Sequence, residues 1–179
     1  MPQIIDLKEG LLRKAVKRGF RNWVSRFKED FGLNTRLCHI SMRTLSYLAQ
    51  DKEKGTFYLY DLIMNLKGLG SGFGFGELSP QNKITVIDRH LFLLDQIRFE
   101  CMKRLEWLDT YPGEEFSIVE LITEFEELRH GLQDKIPILN AHHPAYDEYA
   151  KISAFERESL IRKLMPEALE KIERYSTTL

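Results

Sequence analysis

The 179-residue chain holds only two cysteines, Cys38 and Cys101, far apart and in no Cys-x-x-Cys or metal-type cluster. That spacing argues against a disulfide framework or a cysteine zinc site, so both are expected as reduced core residues inside helices. Excess charge of either sign is also missing: 26 basic and 27 acidic residues leave a net charge of -1. No global field draws the protein to nucleic acid or an anionic membrane, and any electrostatic partner must be read from local patches. No apolar run approaches a membrane span. Residues 1–9 carry acidic side chains where a signal peptide needs an apolar core, so a cytoplasmic location is expected. A Ser-His-Asp order, a nucleophile elbow, a kinase motif set and a zincin motif are absent too, which leaves an enzyme assignment resting on isolated residues.

What is present is helical periodicity, 43% hydrophobic side chains and one anomalous segment. The length suits one domain, residues 1–179, with a substantial core. Of the 11 glycines, five fall at alternate positions from Gly68 to Gly76. A glycine-rich turn entering a helix can cradle phosphate through free backbone amides. Here no Gly-x-Gly-x-x-Gly spacing occurs, no Gly-Lys-Ser/Thr follows, and Glu77 places negative charge where an anion would sit. Two readings remain: a connector, or a lid whose Phe73 and Phe75 close over an apolar pocket.

Residues 6–30 are expected as an amphipathic helix capped by Asp6 and stopped at Gly32. Leu12, Val16, Phe20, Trp23, Phe27 and Phe31 fall on one side; Lys14, Lys17, Arg18, Arg21 and Lys28 gather on the other. A second helix, capped by Asn34, turns Leu37, Ile40, Thr44, Leu45 and Leu48 inward and His39, Arg43 and Ser46 outward. Residues 56–66 form a short buried helix capped by Thr56. Ser79-Pro80 then opens a long central helix predicted to reach Asp109, with Ile84, Ile87, Leu91, Leu94, Cys101, Leu105 and Leu108 as its buried stripe. Ser117 and Glu120 have capping-box spacing at the start of a helix to Leu132, acidic on its outer face. A short helix over 144–152 and a last one through Tyr175, started or kinked at Pro166, complete an all-α bundle of about six or seven helices.

Four constellations could carry chemistry. Arg98 interrupts the apolar stripe of the central helix with Asp95 one turn away and His90 at its edge, so these residues could line an inter-helix pocket beneath the glycine segment. His142, His143 and Asp147 could bind a metal or do acid-base work. Glu127-x-x-His130 has di-iron spacing but lacks a second such pair and lies opposite the apolar face. The basic face of the first helix could meet an acidic protein, a lipid surface or nucleic acid, or pack beside the acidic helix of residues 117–132. Without a nucleic-acid motif, the leading expectation is a non-enzymatic interaction or regulatory module with a protein partner or a second copy of itself. The alternatives are a small-molecule binder or enzyme with a pocket at Asp95 and Arg98, and a metal-binding protein using His142 and His143. No cofactor is specified.

Overall fold

The computed structural model describes residues 2–177, with side chains from Leu7 onward. Eight α-helices occur among the described residues: α1 (Pro2–Phe27), α2 (Met42–Ala49), α3 (Glu53–Leu66), α4 (Pro80–Arg104), α5 (Ile118–Thr123), α6 (Phe125–Leu132), α7 (Tyr146–Lys151) and α8 (Ala154–Ser176). Strands β1 (Leu108–Thr110) and β2 (Ile138–Leu139) pair as one short antiparallel ribbon. The mostly α fold agrees with the periodicity, and α4 touches α2, α3, α5, α8 and β1, the position of a central post.

Helix α1 lies along α3. Val16, Phe20, Trp23 and Phe27 are buried there, and Trp23 Nε1 donates to the Tyr58 carbonyl at 2.8 Å. The helix begins at Pro2, so Asp6 lies within it; the Asp6 side chain, read as a cap, is outside the described residues. Its other end comes earlier than Gly32, because Lys28 turns into the left-handed region at φ 59.

The stretch from 34 to 51 is two elements. A 3-10 turn over Leu37–His39 precedes α2, whose cap is Ser41 rather than Asn34. The Glu29 carboxylate decides this by accepting from the Ser41 amide and hydroxyl, each at 2.8 Å, and from the Thr44 hydroxyl. An acidic group at a helix N-terminus is favoured by the orphan amides and the dipole. Ser46, expected outside, is buried because its hydroxyl donates to the Ile172 carbonyl of α8. Cys38, expected in the core, is exposed on the 3-10 turn, whereas Cys101 is buried. Helix α3 starts at Glu53, one turn before Thr56, whose hydroxyl donates to Asp51.

Helix α4 opens on the Ser79 cap with Pro80 inside its first turn. It stops at Arg104, short of Asp109, because Glu106 takes a left-handed turn at φ 64 and the chain enters β1. The buried stripe is also rotated: Ile84, Ile87 and Leu91 face solvent, while Val86, His90, Leu93, Ile97 and Cys101 face the core. Buried polar groups explain the misjudged phase. Arg89, His90, Gln96 and Glu100 occupy inward positions that a hydrophobicity count assigns to the outside. Beyond β1, Tyr111 donates its hydroxyl to Glu100 at 2.7 Å and joins a second apolar cluster with Leu139, Tyr149 and Ile161.

The expected helix of residues 117–132 breaks at Glu124 into α5 and α6; its Ser117–Glu120 capping box is present. Helix α8 begins with the Ser153–Glu156 box and runs through Pro166 without ending there.

Candidate functional site

The outer face of α1 places Lys14, Lys17, Arg18, Arg21 and Lys28 in solvent, without an ion pair among the described residues. Wound at 100° per residue, exposed Leu7 and Leu11 open the ridge that Lys14 and Arg18 continue. No α1 side chain from Leu7 to Ala15 is buried, so the first half of the helix presents apolar and basic groups together. Among the described residues there, Arg13 alone is neutralised, donating to Glu9 at 2.8 Å. The internal alternative, α1 beside the acidic helix of residues 117–132, is not what the fold does, since α1 rests on α3.

The glycine segment forms a 3-10 turn over Gly72–Glu77 against α3. Gly68 and Gly70 take φ of 70 and 92, conformations that glycine adopts without strain. The buried Asp61 carboxylate anchors the segment: Oδ1 accepts from the Gly72 amide at 2.8 Å and Oδ2 from Asn22 of α1 at 2.9 Å. Phe73 packs on Phe57 with its ring centre 4.7 Å away, yet remains 84% exposed; Phe75 packs on Tyr60 at 4.6 Å.

The structure separates the residues expected around one pocket. His90 Nε2 lies 3.0 Å from Asp51 Oδ1, and its ring meets Tyr60 edge-on. Arg98 donates Nε to the Ala49 carbonyl at 2.9 Å, which closes the C-terminal end of α2. Asp95 turns the other way and accepts from Arg162 of α8 at 2.8 Å. It lines a cleft of about 400 Å³ with Phe92, Gln96, Phe125 and Arg129, away from Phe73, Phe75, His90 and Arg98.

The histidine pair also divides. His142 is exposed, while His143 packs edge-on against Trp107 at 5.0 Å and accepts the Ala145 amide at Nδ1. Burial holds the His143 imidazole below its ordinary pKa, offset in part by Glu167. Asp147 lies in the first turn of α7. Glu127 and His130 are both exposed on α6, and the described residues contain no grouping of three or more His, Cys, Asp or Glu suited to a metal.

Three cleft residues escaped the sequence reading: Arg89, Gln96 and Arg129. Arg89 and Gln96 lie on the inner side of α4, where buried polar groups signal either structural pairing or a site. Neither is well paired. The only signal in the sequence was a charged residue on an otherwise apolar helix, which Arg98 displays equally.

Compared with protein families, curated proteins and solved structures, the chain shows no significant match. No helix among the described residues is long and apolar enough to cross a membrane.

Proposed function

We propose that the protein is a non-enzymatic interaction module whose binding face is the solvent side of α1, and that its partner is an acidic protein surface. The observation that carries this reading is the set of five exposed cations without ion pairs among the described residues: Lys14, Lys17, Arg18, Arg21 and Lys28. Helix α1 holds seven basic and two acidic residues in a chain whose total charge is -1. A concentrated positive face on a near-neutral protein steers an acidic partner and sets its orientation. Exposed Leu7 and Leu11 supply the desolvated contact that charge alone does not provide.

The test replaces Lys14, Lys17, Arg18 and Arg21 by glutamate. These side chains are exposed, so circular dichroism and melting should stay close to wild type. Partner capture at low salt, followed by quantitative binding to the captured protein, is expected to vanish in the variant. Wild-type association should weaken steeply as salt rises, because the Debye length falls from about 10 Å at 0.1 M to about 3 Å at 1 M. A folded variant that binds the same acidic protein with unchanged affinity would refute the reading.

A further inference from the structure

The cleft beside α4 is independent of α1 and holds the most poorly satisfied charge described in the fold. Arg89 projects from α4 with its side chain 7% exposed. Its guanidinium makes one hydrogen bond, from Nη1 to the Thr85 carbonyl at 3.1 Å, and Nε has no partner. The nearest carboxylate, Glu126, is 3.8 Å away, beyond hydrogen-bonding distance, and is itself 84% exposed. A guanidinium has five N–H donors, and burying one with so few acceptors is unfavourable unless something else supplies them.

Arg129 of α6 brings a second guanidinium to the same place. Arg89 stands 4.7 Å and Arg129 5.7 Å from the centre of the Phe125 ring. Arg129 makes no ion pair among the described residues. The cleft that contains Arg89 continues into the 400 Å³ cleft, since Asp88, Phe125, Arg129 and Gln133 line both. Beyond the arginines one wall carries aromatic side chains, Phe92 meeting Phe125 edge-on at 5.4 Å with Phe99 in the same lining, while Asp95, Glu158, Arg162 and Lys135 line the cleft as well. Gln96 lies deeper, 4% exposed, with Oε1 unpartnered. Its amide fits there because residue 113 is glycine; a Cβ at that position would stand 2.5 Å from Oε1.

Two arginines beside an aromatic wall match an anionic head joined to an apolar body. The acidic neighbours limit the charge of that head. Asp88 lines the junction and Glu126 stands at the rim, so a multiply charged head is disfavoured, while Asp95 and Glu158 are both paired with Arg162. We propose that this cleft binds a small organic carboxylate with an apolar body, its head held by Arg89 and Arg129 and its body against Phe92 and Phe125.

Calorimetric titration of the full chain with octanoate and 4-phenylbutyrate tests this, with octanol, acetate and octyl phosphate as comparisons. At least one of the two carboxylates should bind saturably. Octanol lacks the charge, acetate lacks the body and octyl phosphate exceeds the charge, so each should bind more weakly. Arg89→Met and Arg129→Met should each weaken the carboxylate about tenfold or more, the usual effect of losing a hydrogen bond to a charged group. Arg129 is exposed, so that variant remains informative if Arg89→Met misfolds, and Arg13→Met on α1 should leave binding unchanged. Absence of saturable binding by both carboxylates, equal binding of octanol, or binding untouched by Arg129→Met would overturn the assignment.

Discussion

Among the glycines of the repeated segment without a positive φ, Gly72 should be the one that an added side chain disturbs. Its amide donates to Asp61 Oδ1 at 2.8 Å, and an added Cβ would stand 3.0 Å from the Asp61 N, Cα and Cβ atoms. Gly72→Ala must therefore push the 3-10 turn off α3 by a few tenths of an ångström and stretch the bond to a buried carboxylate. Asp61 makes no ion pair among the described residues; its other side-chain donors are the amides of Asn22 and Asn65. Overpacking of this kind costs about 1–3 kcal/mol. At position 74 nothing lies within 4 Å of an added Cβ, so Gly74→Ala should be neutral, or stabilising by about 0.4–1 kcal/mol through the unfolded chain. For a domain of this size each kcal/mol moves Tm by about 2–4 °C. Thermal unfolding followed by circular dichroism should accordingly place Gly72→Ala at least about 3 °C below Gly74→Ala. Equal melting temperatures would show that the contact with Asp61 does not hold the segment, and the anchoring argument would fail.

Three further outcomes follow from local geometry. Lys28 closes α1 at φ 59, where glycine is unstrained, so Lys28→Gly should raise stability by about 0.5–1 kcal/mol in urea titration; a loss would contradict the cap assignment. Burial raises the Glu29 pKa, but hydrogen bonds from Thr44 and Ser41 and the charge of Arg43 outweigh it and hold the carboxyl below its ordinary value of 4.5. Its stabilisation is complete above that value and disappears as pH falls through the lower folded pKa, so the stability gap between wild type and Glu29→Gln should close on acidification; a constant gap would refute this. Cys38 is exposed, whereas burial pushes the Cys101 thiol up to about 12. A disulfide exchange reagent should titrate one thiol in the native protein and two after unfolding, and rapid reaction of both would place Cys101 wrongly.

Capping chemistry read from the sequence agrees with the structure at Ser79 and at the Ser117–Glu120 box, because each depends on residues within one turn of each other. It fails at Thr56, whose hydroxyl turns to Asp51, and at two places where the deciding partner lies outside the helix itself. Ser41 displaces Asn34 as the α2 cap because Glu29 reaches it from the end of α1. Ser46 turns inward because a carbonyl of α8 awaits it 126 residues later.

The candidate sites divide along the same line. Periodicity alone determined that α1 has one aromatic face for the core and one basic face for solvent, since both follow from the helical repeat. Only the tertiary structure decided that those cations lie without ion pairs among the described residues, that Asp95 and Arg98 point to opposite neighbours, and that Arg89 and Arg129 meet over Phe125. Local sequence specifies which faces a helix has. Which of its polar groups is paired depends on helices distant in the chain and adjacent in space.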